Sequence, residues 1–167
     1  RPHGEWLETA LVRGLNETGC KALTIGAVPT PVGYWAIQHL GAHAGVQITG
    51  SHNPPEYNGF KLTVRGASLH GQDIQALRET IERDDFAKGT AGCEARPVLD
   101  AYLAELQKNL RPAARPMKVV VDAGNGTGGI TALPLYRALG YDVVPLFCDM
   151  DGRFPNHHPD PTVEKNL

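Results

Sequence analysis

The sequence has few cysteines, no long apolar run and almost no net charge over its 167 residues. Cys20, Cys93 and Cys148 lie far apart without a C-x-x-C pair, which favours reduced thiols in a cytoplasmic protein over a disulfide framework. No apolar run approaches the roughly 18 residues that span a bilayer, so we expect no membrane partner. A formal net charge of −2 shows no excess of the basic residues that nucleic-acid-binding proteins carry, so we expect no nucleic-acid partner.

Two sequence signals are also missing. There is no Gly-x-Ser-x-Gly elbow, which argues against a serine hydrolase of that class. The sequence begins without methionine and without a basic-then-apolar leader, so we expect a fragment and not a secreted protein. Its composition, 41% hydrophobic and 20% charged, is ordinary for a soluble globular protein with one good core or two small ones.

Helical and extended patterns alternate along the chain, which predicts an α/β fold with mixed, mostly parallel sheets covered by helices. The small, flexible composition of residues 87–92 places a domain boundary near residue 96. Residues 119–122 read as a buried strand, and Trp6, Tyr34 and Trp35 lie at helical spacing typical of core packing. The pattern predicts helices over residues 5–15, 34–40, 73–83, 98–110 and 132–139, and strands over residues 23–28, 46–48, 60–64, 119–122 and 143–147.

The most informative stretch follows the short strand at residues 46–48. Gly50 permits a sharp turn of the backbone, and residues 53–55, Asn-Pro-Pro, stiffen the far side. Ser51 is therefore predicted at the tip of a stiff loop beyond a strand, with His52 beside it. Ligands of α/β proteins gather at such strand ends.

The next predicted strand brings a positively charged side chain, Lys61, back towards this loop. Residues 60–64 alternate, so that three apolar side chains share one face and Lys61 and Thr63 share the other. We expect Lys61 to lie close to Ser51 and His52. A serine hydroxyl beside a lysine suits phosphate chemistry better than acyl transfer.

Residues 49–61, TGSHNPPEYNGFK, closely resemble the phosphoserine loop of the α-D-phosphohexomutase superfamily. The sequence of this stretch is most similar to that of the bacterial phosphomannomutase/phosphoglucomutase branch. The resemblance continues through residues 28–32 (VPTPV), 119–126 (VVVDAGNG) and 154–161 (FPNHHPDP). It therefore covers most of the chain.

The resemblance implies a cytoplasmic, isomerase-class phosphomutase that moves a phosphoryl group between O1 and O6 of a hexose phosphate. Ser51 would carry the phosphoryl group, His52 would orient the loop or assist proton movement, and Asn53 would hold the loop. Lys61 would act as proton shuttle or phosphate clamp. Mg²⁺ would bind partly through the phosphate on Ser51, and glucose 1,6-bisphosphate or mannose 1,6-bisphosphate would serve as activator and intermediate.

Members of this superfamily have four domains, whereas the resemblance here reaches only two. It implies that residues 1–96 are most of the first domain and that residues 97–167 begin the second. The aspartate-rich metal loop, the sugar-selecting loop and the distal phosphate-binding loop have no counterpart in the sequence. We therefore expect a phosphoserine half-site that is inactive without the remaining domains of a parent protein.

The glycine-rich turn at residues 124–129 supports an alternative function. It satisfies G-x-G-x-x-G between a strand and a helix, with Asp149 some twenty residues further on. By pattern alone this indicates an NAD(P)-binding oxidoreductase, whereas the family resemblance implies a structural turn at the start of the second domain.

Two further motifs resemble metal sites. Residues 149–153, Asp-Met-Asp-Gly-Arg, are similar to the metal loop of the superfamily but hold two aspartates instead of three, so we expect a solvated turn. His157 and His158 lack a second ligand pair at zinc spacing, and we expect a polar loop at the domain interface.

Overall fold

The computed structural model describes residues 2–112, 114–115 and 117–166. Helices and strands alternate through most of this part of the chain, and a 3₁₀ turn at Glu164–Asn166 closes it. The helices are α1 (Gly4–Glu17), α2 (Thr30–His39), α3 (Gln72–Glu82), α4 (Leu99–Asn109) and α5 (Gly129–Ala138). The strands are β1 (Ala22–Thr24), β2 (Ala44–Ile48), β3 (Phe60–Val64), β4 (Ala67–Ser68), β5 (Cys93–Ala95), β6 (Lys118–Asp122) and β7 (Asp142–Leu146).

In the part of the chain that the structure describes, the strands form three small sheets. Strands β1 and β5 pair in parallel, and so do β6 and β7, whereas β2, β3 and β4 form an antiparallel meander. The parallel pairs are joined through helices, as parallel connections require, and the antiparallel pairs are joined by loops. The predicted α/β class with mixed sheets and covering helices is confirmed.

Element bounds differ from the predicted ones mainly at prolines and glycines. Helix α2 begins at Thr30, four residues earlier than predicted, because Pro31 fits the first turn of a helix, where its missing N–H costs nothing. Strand β1 ends at Thr24, four residues before the predicted end of the strand. Two residues beyond it, Gly26 adopts a φ of 78°, which turns the chain out of the strand direction.

The core gathers around α2. Val32 is fully buried there, together with Val28, Ala36 and Val98, and Trp35 and Tyr102 pack against this cluster. Helix α4 packs against both α2 and α5. Val98 and Tyr102 lie beyond the expected boundary near residue 96, yet they contribute to the core formed by residues before it.

Several apolar residues expected in a core are exposed. Trp6 is 71% exposed, so the predicted packing of this residue is wrong, and Val120 is 61% exposed although residues 119–122 were expected to be buried. The reason for Val120 is that α5 covers one face of the β6–β7 pair, where Val119 and Val121 are half-buried, and the other face remains open. Tyr34 is also partly exposed, whereas Trp35 packs as predicted.

Across the part of the chain that the structure describes, no helix combines the length and apolar character needed to cross a membrane.

Candidate active site

Ser51 lies in the loop that joins β2 to β3. The ladder between these strands ends with the pair Ile48–Phe60, and the Thr49 N–H then donates to the Gly59 carbonyl at 2.9 Å. Lys61 is the next residue of β3 and pairs with Gln47. Ser51, His52 and Lys61 therefore lie at the same end of one hairpin, and the side chains of all three are exposed.

The loop is braced by hydrogen bonds on either side of Ser51. The Ser51 N–H donates to the Thr49 hydroxyl at 2.9 Å. The backbone N–H and the side-chain amide of Asn53 both donate to the Gly50 carbonyl at 3.0 Å, so Asn53 holds the loop. Ser51 itself has a φ of 49°, the left-handed region that few residues other than glycine adopt. Such strain often marks a functional residue.

Helix α2 anchors the hairpin beneath the loop. The Gln47 amide donates to the Val28 carbonyl at 3.4 Å, and a Cβ at Gly33 of α2 would lie 2.6 Å from Gln47 Oε1. Thr63, two residues after Lys61 on the same face of β3, is buried. The strand that carries Lys61 is thus fixed against the core, while Lys61 itself extends to solvent.

Two residues from distant parts of the sequence interact with this loop. The Asn58 amide nitrogen lies 3.0 Å from His3 Nδ1, so the segment before α1 contacts the loop. Hydrogen bonds from the Thr162 hydroxyl and N–H lower the pKa of Asp160, and the charges of His52 and His158 lower it further. Sequence reasoning gave neither residue a role at Ser51, because contacts between residues 55 or more positions apart leave no local pattern.

The backbone N–H groups of the glycine-rich turn donate to acceptors within the protein. The Gly124 N–H donates to Asp122 Oδ1 at 2.7 Å, the Asn125 N–H to the Phe147 carbonyl at 2.7 Å and the Gly126 N–H to the Ala123 carbonyl at 2.8 Å. A dinucleotide site needs such groups directed at the pyrophosphate. The structure therefore gives the oxidoreductase alternative no support.

The side chain of Asn125 ties this turn to the chain beyond β7. Its amide donates to the Asp149 carbonyl at 2.9 Å, and its Oδ1 accepts from the Asn156 amide at 2.7 Å. Both the side chain and the backbone of this buried residue are engaged within the protein. This arrangement fits the structural turn that the family resemblance implies.

The motifs that resemble metal sites are engaged in other contacts. Arg153 holds Asp151 through paired hydrogen bonds, which lower the pKa of Asp151 to about 2. His157 contacts the Asp122 carboxylate through Nε2 at 3.2 Å. Within residues 2–112, 114–115 and 117–166, no three His, Cys, Asp or Glu side chains are grouped to hold a metal. These residues do not form a complete Mg²⁺ site on their own.

A groove of about 610 Å³ lies elsewhere on the molecule. It runs between α1 and residues 89–93, and residues such as Thr9, Arg13 and Thr90 line it. Neither Ser51 nor Lys61 lies in this groove. The groove is therefore separate from the hairpin loop that carries Ser51.

Comparison with protein families identifies the chain over nearly its full length. The family model described as phosphoglucomutase/phosphomannomutase, alpha/beta/alpha domain I, matches residues 1–88, and the model for domain II matches residues 100–167. The chain belongs to the phosphoglucomutase/phosphomannomutase family. The family resemblance seen in residues 49–61 is thereby confirmed.

Individual relatives agree with this assignment. The chain is 48% identical over 167 residues to a phosphomannomutase/phosphoglucomutase of Pseudomonas aeruginosa, and 46% identical over 169 residues to a phosphoglucomutase of Neisseria meningitidis. Each alignment covers all of the chain and 36% of the relative, so the chain spans just over a third of the relatives' length.

A solved structure supports the fold assignment as well. A phosphoglucomutase/phosphomannomutase family protein from Burkholderia thailandensis superposes with a TM-score of 0.91 at 44% sequence identity. The match covers 96% of the chain and 37% of that protein.

Proposed function

We propose that this chain is the phosphoserine-bearing part of a hexose-phosphate mutase, with Ser51 as the residue that carries the phosphoryl group. The observation that carries the proposal is the position of Ser51, exposed and left-handed at the tip of a braced hairpin loop. The strain is consistent with a hydroxyl that must be presented at one fixed point, since phosphoryl transfer depends mainly on position and charge neutralisation.

In the proposed reaction, a hexose monophosphate hydroxyl attacks the phosphorus of phosphorylated Ser51. The bond between phosphorus and Ser51 Oγ breaks as the bond to the sugar oxygen forms. The proton of the sugar hydroxyl passes to a base, and a general acid returns a proton to the departing Ser51 Oγ. The product is a hexose 1,6-bisphosphate. After this intermediate turns over, Ser51 Oγ attacks the other phosphate, which regenerates phosphorylated Ser51 and releases the isomeric monophosphate.

His52 and Lys61 supply the nearby groups for this transfer. The Lys61 ammonium, exposed at the loop end of β3, would neutralise charge on the transferring phosphoryl group or pass a proton. His52, adjacent to Ser51, would orient the loop or accept the hydroxyl proton. Asn53 would keep the loop in shape through the Gly50 carbonyl.

Mg²⁺ would neutralise charge on the phosphoryl oxygens. The phosphate on Ser51 would provide one ligand, and the remaining ligands would come from outside this chain. The names of the relatives, a phosphomannomutase/phosphoglucomutase and a phosphoglucomutase, point to mannose and glucose phosphates as substrates. The rest of a longer parent protein would complete the substrate cleft.

The proposal is tested in the parent protein, expressed from its complete coding sequence. Intact mass and peptide mapping should place one phosphate on Ser51 in the residue numbering used here. Ser51→Ala should remove that phosphate and lower mutase turnover by several orders of magnitude. Ser68→Ala is the matched control, since Ser68 is an exposed serine on β4. Phosphate on another serine, or full turnover in Ser51→Ala, would refute the assignment.

A further inference from the structure

The chain contains two asparagine–glycine pairs, Asn58-Gly59 and Asn125-Gly126. An asparagine side chain reacts most readily with its own backbone when glycine follows, because glycine has no Cβ to shield the next N–H. The same chemistry is therefore available at two places in one molecule. The structure gives the two pairs very different surroundings.

Asn125-Gly126 is protected by hydrogen bonds. Asn125 is only 7% exposed, its amide donates to the Asp149 carbonyl at 2.9 Å, and its Oδ1 accepts from the Asn156 amide at 2.7 Å. The Gly126 N–H donates to the Ala123 carbonyl at 2.8 Å. The Asn125 side chain cannot turn towards the Gly126 nitrogen until these bonds break, which requires local unfolding of the turn.

Asn58-Gly59 lies open to solvent. Asn58 is exposed and belongs to the irregular stretch of the loop just before β3 begins. Its amide nitrogen lies 3.0 Å from His3 Nδ1 and 3.2 Å from the Glu56 carbonyl, and both contacts are at the surface. None of the hydrogen bonds formed among the described residues uses the Gly59 N–H. Rearrangement at this pair therefore needs only a small local motion.

The reaction that these surroundings allow is loss of the Asn58 side-chain amide as ammonia. The Gly59 nitrogen gives its proton to solvent and attacks Asn58 Cγ, the bond from Cγ to Nδ2 breaks, and the departing nitrogen takes up a proton. Water then opens the cyclic succinimide at either carbonyl, which leaves aspartate or isoaspartate at position 58. Water is the co-reactant, and nothing is oxidised or reduced.

We propose that Asn58 is a site of spontaneous deamidation in the Ser51 loop, whereas the fold protects Asn125. Either product adds a negative charge to the loop. Isoaspartate also adds a methylene group to the backbone next to Gly59, whose carbonyl closes the loop by accepting from the Thr49 N–H at 2.9 Å. The consequence for catalysis rests on the proposed function, since the new charge would repel a phosphoryl group on Ser51. The modification itself can be measured without substrate or phosphate.

The test follows both pairs in the 167-residue chain during incubation at mildly alkaline pH. Peptide mapping by mass spectrometry measures the conversion of each asparagine to the acid, and fragmentation distinguishes isoaspartate from aspartate. In the folded chain, Asn58 should react at least about tenfold faster than Asn125, which corresponds to an opening free energy of about 1.4 kcal/mol at the protected pair. In concentrated urea, where the fold protects neither pair, the two rates should become similar.

Asn58→Gln is the matched control. Glutamine would have to close a larger ring, so position 58 should keep its amide over the same period while Asn125 reacts as before. Equal rates for Asn58 and Asn125 in the folded chain would overturn the proposal. A faster reaction of Asn58 that persists in urea would overturn it as well, because the difference would then come from the local sequence and not from the fold. Phosphate mapping on Ser51 in the parent protein tests the mutase function separately.

Discussion

Ser51 combines a reactive hydroxyl with an unfavourable backbone conformation. A non-glycine residue in the left-handed region costs roughly 1–2 kcal/mol, because its Cβ crowds the backbone. The bonds from Asn53 to the Gly50 carbonyl and from the Ser51 N–H to Thr49 offset that cost locally. At the residue scale, stability is lost so that one hydroxyl is held in a defined place.

This strain can be measured by comparing glycine and alanine at position 51. Ser51→Gly should have a larger free energy of unfolding than Ser51→Ala, by about 1 kcal/mol, because glycine adopts a φ of 49° without crowding. Urea denaturation of the two variants gives the difference.

Ser68 on β4 provides the matched comparison. Glycine weakens a strand relative to alanine, so Ser68→Gly should be the less stable of that pair, by roughly 0.5–1 kcal/mol. The order of glycine and alanine should therefore reverse between the two positions. The same order at both would show that Ser51 is not strained.

At the scale of elements, the glycine-rich turn allows β6, α5 and the chain after β7 to pack closely together. The first residue of α5, Gly129, is buried, and a Cβ there would lie 2.5 Å from the Cys148 carbonyl oxygen and 3.0 Å from Cys148 Cβ. Glycine allows the helix to approach this backbone closely. The glycine pattern that resembles a nucleotide fingerprint is explained by packing.

Alanine substitutions at adjacent glycines separate close packing from general effects on the turn. Gly129→Ala should lower the free energy of unfolding by about 1–3 kcal/mol, because the new methyl group meets fixed backbone. At the exposed neighbour Gly128, an added Cβ would find its nearest atom at 3.8 Å, so Gly128→Ala should change stability by less than about 0.5 kcal/mol.

Thermal or urea unfolding of both variants provides the measurement. Equal stability of Gly129→Ala and Gly128→Ala would contradict the close approach of α5 to Cys148.

At the scale of the whole molecule, the chain presents the Ser51 loop without an enclosing cleft. Ser51, His52 and Lys61 are all exposed, and the described residues hold no complete metal site. The chain covers 36% of the length of its Pseudomonas relative, so the other walls of a substrate cleft would have to come from elsewhere.

We therefore expect the 167-residue chain alone to show no mutase turnover, even with phosphate on Ser51. A sugar phosphate bound without a metal and a distal phosphate clamp lacks both charge neutralisation and a fixed in-line pose. Losing a single electrostatic group of this kind costs about 10²–10³ in rate, so turnover should fall at least about 10³-fold below a full-length relative.

A coupled assay with mannose 1-phosphate, glucose 1,6-bisphosphate and Mg²⁺ measures this turnover. The full-length Pseudomonas aeruginosa relative serves as the positive control. Turnover of the chain within tenfold of that control would mean that the active site is complete within these residues.

Much of the local structure and the family could be predicted from the sequence. Helix and strand periodicity is a property of neighbouring residues, so the helices and most strands were predicted to within a few residues. The thirteen residues of the Ser51 loop identified the family without any long-range information. Ser51, His52 and Lys61 as site residues remain predictions, and the structure places all three at one end of a hairpin.

Tertiary structure decided which faces are buried and which distant residues meet. Periodicity shows that a strand has two faces but not whether another element covers each of them, so Val120 was expected to be buried and is exposed. The Asp122–His157 pair joins residues 35 positions apart, and the hydrogen bond from Asn156 to Asn125 joins residues 31 positions apart. Such contacts depend on how the elements pack, because no local pattern in the chain specifies which distant side chains become neighbours.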